Sequence, residues 1–423
     1  MDRISGLPDE LLLRVLSLLP NVKDVVVTMV LSKRWQFLWM MVPKLVYDDS
    51  YQNLEYGKFS RFVDRSLFMR KAPGIETLHF KLGQNCGNGD IQWWIRAASK
   101  FCFRELIIEI NCSTSASPSI LPRSLYTECR MLVTLKLKKA VLVDVSSPTC
   151  FPSLKNLSLV SVKYPGNEFV KSLLSSCHVL EDLVVEQCIN DNVTIFSVKV
   201  PSLKSLVLRT SKERAPDGES GFVVEAPSLE YLDIDQTGGF CVIENGMPNL
   251  AEAYVSVLHH HPVKFLSSIT SVKRLYLCLL PHSILSCMQD MYPIRCVFHR
   301  LVHITLCTCD DEWLNLLACL LKGSPKLISL KLEKVIFQFI QCLMYRLSQH
   351  HGHLICSPSP LRDDLSSVPE CVLSSLETVE WVDYEGTEAE RQLVEFILRN
   401  GSCLKKFVIS PESVNPDKKY EMI

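Results

Sequence analysis

No uncharged apolar run in this 423-residue chain reaches the roughly 18 residues that a membrane span requires. Neither sign of charge dominates: 45 basic residues stand against 46 acidic ones, leaving a net charge of −1. No global field therefore draws the chain to nucleic acid or to an anionic membrane surface. Met1-Asp2-Arg3-Ile4 leads straight into a helical pattern, without the apolar segment of a signal peptide. The expected setting is soluble and intracellular, cytoplasmic and/or nuclear. Lys138-Lys139, Lys405-Lys406 and Lys418-Lys419 are too short to argue for a nuclear signal. Catalytic motifs are missing too. There is no phosphate-binding Gly-rich loop with its Lys, no Gly-x-Ser-x-Gly elbow and no His-Glu-x-x-His pair. Gly83 to Gly89 is rich in Gly and Asn, but no Lys follows it, and it reads as a turn. No catalytic residue and no cofactor is expected.

Cysteine is plentiful, with eighteen residues, but the chain is long and not arranged around disulfides. Most cysteines occupy places where a small apolar residue would fit. Cys307 and Cys309 form a C-x-C pair without a second pair at zinc-site spacing. His259-His260-His261 and His350-His351-Gly352-His353 lack a carboxylate or thiolate at helical spacing and read as solvated loops. No metal site is expected. With 47% apolar and 22% charged residues, the chain is a folded one, long enough for two or three structural units.

The densest signal lies in the first forty residues. Leu11, Leu12, Val15, Leu16 and Leu19 make one helical stripe, and Val22, Val25, Val26, Met29 and Val30 a second. Trp35, Leu38 and Trp39 make a third, with Ser32 placed to cap its helix. Pro8 suits a first helical turn and Pro20 ends the first helix. Three short helices bury little surface alone, so such a unit leans on a neighbour or a partner. The opening Leu7-Pro8, the Val15-Leu16 pair and the Leu31-Ser32-Lys33-Arg34-Trp35 block with Leu38-Trp39 resemble an F-box. That module docks a receptor subunit onto a Skp-type adaptor of a cullin-RING ubiquitin ligase.

A second pattern repeats along the chain. Pro152-Ser-Leu-Lys-Asn-Leu-Ser-Leu159 returns as Pro201-Ser-Leu-Lys-Ser-Leu-Val-Leu208 and Pro227-Ser-Leu-Glu-Tyr-Leu-Asp-Ile234. Looser copies start at Pro248 and Pro325. Spacing of the form L-x-x-L-x-L is cheap in so apolar a chain, so the weight rests on the shared prefix and on the register. The first apolar residues of the units are Ile75, Phe103, Leu132, Leu154, Leu180, Leu203, Leu229, Leu250, Val272, Leu301, Leu327, Leu376 and Leu404. Their gaps run from 21 to 29 residues, apart from 49 between Leu327 and Leu376. This is the period of leucine-rich repeats. The last two apolar residues of each unit share one face of a strand. Return segments such as Glu168 to Ser176 and Asp311 to Lys322 carry a helical pattern. The predicted architecture is α/β: a curved solenoid whose parallel strands line the concave side.

Residues alternating with the buried strand positions point out of that side. Among them Arg209, Tyr231, Asp233, Tyr254, Arg274 and Tyr276 fall in nearby units. Tyr and Arg dominate many binding interfaces, which makes these six the candidate target-binding residues.

Near the C-terminus, His350 to Glu370 is rich in His, Ser, Pro and Asp and explains the 49-residue gap as an inserted loop. A strand through Val379 and Trp381 follows, then a helix that Thr387 and Glu390 open as a capping box and Gly401 ends. Leu404-Lys-Lys-Phe407-Val-Ile409 supplies another strand. Leu376, Val379, Trp381, Gly386, Glu390, Leu393 and Leu404-Lys405-Lys406 resemble the FBD motif that plant F-box proteins carry after their leucine-rich repeats. Physically this unit would cap the open end of the solenoid.

The expected domains are an F-box over 1–45, a leucine-rich-repeat solenoid over 46–349, a loop insertion over 350–370 and an FBD domain over 371–423. The F-box resemblance implies docking on a Skp-type adaptor, and through it a cullin-RING ligase, by Leu7, Pro8, Leu11, Val15, Leu16, Leu31 and Trp35. It further implies a non-catalytic receptor that holds a target protein on its solenoid for ubiquitin transfer by proximity. Two alternatives stay open: an interaction scaffold outside any ligase, and a receptor whose target site a small molecule completes.

Overall fold

The structure, a computed structural model, describes residues 4, 6–49, 56–83, 86–111, 119–143, 151–188, 192–210, 220–236, 239–257, 262–279, 296–309, 313–334 and 367–411. Both histidine runs and nearly all of the predicted 350–370 loop lie outside these residues. The chain divides into two compact units, Met1–Leu203 and Lys204–Ile423.

The first unit opens with α1 (Asp9–Ser17), α2 (Val22–Val27) and α3 (Trp35–Leu38), with a 3₁₀ turn after each of the last two. Pro8 stands just before α1 with an extended backbone, and Asn21 caps α2 by accepting from the Asp24 N–H at 2.9 Å. Ser32 does not cap α3 as expected. The helix begins at Trp35 after a helical Arg34, and the buried Ser32 hydroxyl has no hydrogen-bond partner among the described residues. Instead the Arg34 Nε donates to Asp9 at 2.9 Å, tying the start of α3 to the start of α1.

Next come β1 (Lys44–Asp48), α4 (Tyr56–Phe68), β2 (Thr77–Leu82), α5 (Asn88–Ser99) and β3 (Glu105–Ile110). They are followed by β4 (Ser119–Ile120), α6 (Ser124–Glu128), β5 (Thr134–Lys138) and β6 (Ala140–Val141). The unit closes with β7 (Asn156–Val160), α7 (Asn167–Ser175), β8 (Asp182–Glu186) and β9 (Ile195–Lys199). Strands β1, β2, β3, β5, β7 and β8 pair in that order, all parallel. Leu45, Leu78, Leu106, Leu135, Leu157 and Leu183 stand side by side across them. A one-residue slip would turn this whole row to solvent, so the leucines set the register. Behind the sheet, Phe80 stacks between Tyr47 and Trp94 at 5.4 and 5.5 Å. Helix α7 buries Phe169, Val170, Leu173 and Leu174, as its spacing predicts.

The second unit carries β10 (Ser205–Arg209), β11 (Gly221–Glu225), β12 (Tyr231–Gln236), β13 (Phe240–Ile243) and β14 (Glu252–Val257). After α8 (Pro262–Ser268) come β15 (Arg274–Leu279), β16 (His303–Cys307), α9 (Trp313–Gly323) and β17 (Ser329–Glu333). Last are α10 (Glu370–Ser374), β18 (Thr378–Tyr384), α11 (Glu388–Asn400) and β19 (Lys406–Pro411). Strands β10, β12, β14, β15, β16, β17, β18 and β19 form one parallel run. The predicted unit-opening residues from Ile75 to Leu376 are all buried, and only Leu404, before the last strand, is partly exposed. The two C-terminal strands thus continue the same sheet, and the capping box is present, with the Thr387 N–H donating to Glu390 at 2.8 Å.

Not every return segment is helical. Between β10 and β14 the chain comes back through β11 and β13, which pair in parallel. This crossing leaves no room for a side chain at Gly221, whose Cβ would lie 2.1 Å from the Phe240 carbonyl oxygen. Gly239 combines φ of +83° with a Cβ position 1.9 Å from the Ser220 oxygen. A Gly221→Ala chain is expected to lose roughly 3 kcal/mol, because backbone rather than a flexible side chain must yield. A urea midpoint equal to that of the native chain would contradict this packing.

Candidate functional site

Helix α1 is apolar on two sides, and that separates it from an ordinary surface helix. Leu12 and Leu16 are buried with Val25, Trp35, Leu38 and Trp39 in one cluster, against which Leu7 and Leu19 also pack. Leu11, Val15 and Leu18, spaced i, i+4 and i+7, lie on the other side and are 44%, 45% and 84% exposed. The turn after α2 adds Val30 and Leu31, at 79% and 61%. So much exposed apolar surface on so small a unit marks an interaction face. Of the seven adaptor-contact candidates, Pro8, Leu11, Val15 and Leu31 are exposed and Leu7 is half-buried. Leu16 and Trp35 are 1% and 3% exposed, so their place is in the packing that holds the face in position. Sequence reasoning did not select Leu18 and Val30, although Leu18 continues the Leu11 and Val15 row by one further turn.

In the second unit, parallel pairing assembles the other six candidates on one face of the sheet. Across the strands, Tyr231, Glu252, Arg274 and His303 form one row. Asp233, Tyr254, Tyr276, Thr305 and Lys331 form the next. Tyr254 stacks on Tyr276 at 6.0 Å between centroids and leans on Tyr231 at 5.8 Å. The Arg209 guanidinium donates to Asp233 at 2.9 Å, and Arg274 pairs with Glu252. The two arginines are thereby held by carboxylates beside the tyrosine row. Burial raises the pKa of Tyr231, with Asp233 adding to it, and burial likewise raises that of Tyr276. These two phenols stay neutral near pH 7 and keep their O–H groups for donation. Three adjacent rings form an aromatic row already ordered before any partner arrives, which lowers the entropic cost of binding.

The same pairing brings together residues that sequence spacing kept apart. Cys278 follows Leu277, whose register partner Leu306 precedes Cys307, and Cys309 lies just beyond β16. The three sulfurs lie within 4.8 Å of one another. The signal in the sequence was the coincidence of Cys278 and Cys307 at one position in successive repeats.

Comparison with known proteins decides the family. The F-box domain model matches residues 4–47, the model for the LRR repeats of FBD-associated F-box protein At5g56370 matches 91–248, and the FBD model matches 363–409. The chain is 96% identical over 423 residues to "Putative FBD-associated F-box protein At5g50270" of Arabidopsis thaliana, covering all of both chains. The chain belongs to the FBD-associated F-box proteins. It is also 57% identical to "Probable FBD-associated F-box protein At1g32375" and 42% identical to "F-box/FBD/LRR-repeat protein At5g56420", both of Arabidopsis thaliana. All of the chain aligns in each case, with 96% and 94% of those relatives. The helical unit with its outer apolar face is therefore the F-box, and β18, α11 and β19 are the FBD. The parallel strands are of leucine-rich-repeat type. This assembly is that of an F-box substrate receptor. No helix among the described residues is long and apolar enough to cross a membrane.

Proposed function

We propose that this F-box protein is the substrate-recognition subunit of a Skp–cullin–F-box ubiquitin ligase. The observation that carries the reading is the outer face of the F-box, where Leu11, Val15, Leu18, Val30 and Leu31 stay exposed while Leu12, Leu16 and Trp35 are consumed by the core. Docking an adaptor would bury that face, at about 25 cal/mol per Å² of apolar area removed from water. The tyrosine face of the second unit would hold the target protein. The receptor makes no bond itself: it raises the local concentration of target lysines beside a ubiquitin-conjugating enzyme.

The test is co-expression of the full chain with a Skp-type adaptor and a cullin. Stoichiometric co-purification of all three supports the ligase reading. A folded chain that elutes alone would instead leave a scaffold that acts outside any ligase. On the target side, truncating an aromatic hot spot costs about 2 kcal/mol, close to thirtyfold in affinity. A Tyr254→Ala/Tyr276→Ala chain is accordingly expected to retain adaptor at the native level while losing its co-purifying targets by at least that factor. Quantitative mass spectrometry of the two adaptor-bound chains reads both numbers, and unchanged target recovery would remove the tyrosine face from the binding site.

A further inference from the structure

We propose that Cys278, Cys307 and Cys309 form a three-sulfur binding site for a soft, thiophilic metal ion, with three-coordinate Cu(I) as the ion that fits. The three Sγ atoms lie within 4.8 Å of one another, and those of Cys278 and Cys309 are 3.8 Å apart. A metal–sulfur bond is about 2.3 Å long, so three sulfurs in a plane around one ion lie about 4 Å apart. The sulfurs already stand near the spacing the ion would impose.

Strand parity gives a second, independent reason. Cys278 pairs with Ser256 and Cys307 with Glu333, which places both cysteines on the same side of the sheet as Tyr276 and Thr305. The neighbouring positions on that side, Tyr276, Thr305, Ser256 and Glu333, are all partly exposed, yet Cys278 and Cys307 are 0% and 4% exposed. Cys309 is only half-buried and offers a way in. A cysteine used purely as a small apolar residue belongs on the leucine side of a strand. Here Cys278 and Cys307 sit on the polar side and meet Cys309 from just beyond β16.

The donor set selects the ion. Thiolates favour Cu(I), zinc and iron–sulfur clusters over hard cations. Structural zinc takes four protein ligands and clusters take four cysteines. Among the described residues the group that could hold an ion consists of these three sulfurs, a set that meets the needs of three-coordinate Cu(I) by itself. Each thiol that binds gives its proton to the solvent, so affinity rises with pH. The site borders Tyr276, and occupancy would pin the ends of β15 and β16 beside the tyrosine face.

The experiment is an anaerobic titration of the reduced full chain with Cu(I) against a chromophoric Cu(I) chelator. The native chain is expected to hold one more tightly bound Cu(I) than a Cys309→Ser or a Cys278→Ser chain. A Cys403→Ser control keeps the native count. X-ray absorption of the native complex should show three sulfur neighbours and no lighter ones. Cys309 is partly exposed, so the Cys309→Ser chain decides the matter even if Cys278→Ser fails to fold, provided its circular dichroism matches the native spectrum. Equal copper retention by native and Cys309→Ser chains would overturn the site. So would Zn(II) in four-coordinate form displacing Cu(I) from it.

Discussion

A Leu11→Asp/Val15→Asp chain is expected to lose its Skp-type adaptor by at least a hundredfold while melting within a few degrees of the native protein. Both side chains are nearly half exposed, so an interface that covers them gains on the order of 1 kcal/mol from each. Aspartate removes that gain and adds an unpaired carboxylate to a surface that must shed its water, at several kcal/mol. A hundredfold corresponds to about 2.7 kcal/mol, so the expected loss is a lower bound. The fold is spared because Leu12, Leu16 and Trp35, which hold α1 against α3, are untouched. The Leu11→Asp change also falls in the first turn of α1, where a negative charge suits the helix dipole. The measurement is surface-plasmon or calorimetric binding to purified adaptor, with a melting curve for each chain. Equal affinity of native and double-variant chains would sink the proposed docking face. A Leu16→Ala chain is the contrasting case: cavity formation at a fully buried position lowers stability by about 2–5 kcal/mol, and binding falls only as the F-box unfolds.

The largest stability effect is expected at Trp381. Its side chain is 0% exposed and meets Trp313 of α9 edge-on at 5.6 Å and Tyr384 at 5.2 Å. Trp381→Ala should cost roughly 3–5 kcal/mol, which is a large share of what holds a domain together. Its indole N–H, however, has no acceptor among the described residues. A Trp381→Phe chain loses ring area but also sheds that unpaired donor, so it should cost markedly less than Trp381→Ala. Urea unfolding of the three chains checks both the size and the order. An alanine variant as stable as the phenylalanine one would mean that the FBD strand is not anchored through this ring.

Much of the fold is legible in the sequence because its signals are local. The thirteen unit-opening residues were placed by a simple period, and burial follows it from Ile75 to Leu376 because each must enter the stack behind its strand. Helices α7 and α9 and the Thr387–Glu390 box were visible because apolar spacing and capping are local signals. Tyr384 was not. Strict alternation from Trp381 would bury residue 383, but the pairing shifts between Val382 and Tyr384, with Asp383 at φ +58°. That bulge turns Tyr384 inward to meet Trp381, and a bulge leaves no local pattern to read. The returns through β11 and β13 escaped for a related reason, since a short apolar run such as Phe222-Val-Val224 fits strand and helix alike.

By itself the sequence determined the class of each part: a three-helix adaptor-docking resemblance, a parallel-strand repeat and a strand–helix–strand end. Those follow from periodicities of 3.6 and 2 and from the repeat length, which are properties of neighbouring residues. Only the tertiary structure decided which side of α1 is spent on the core and which stays exposed, because both sides are aliphatic. It likewise decided that Tyr231, Tyr254 and Tyr276 touch, and that Cys278 meets Cys307 and Cys309. These are contacts between residues more than twenty positions apart in the chain. They exist because parallel strands, held in register by a buried row of leucines, place each repeat's residues beside the same positions of the next.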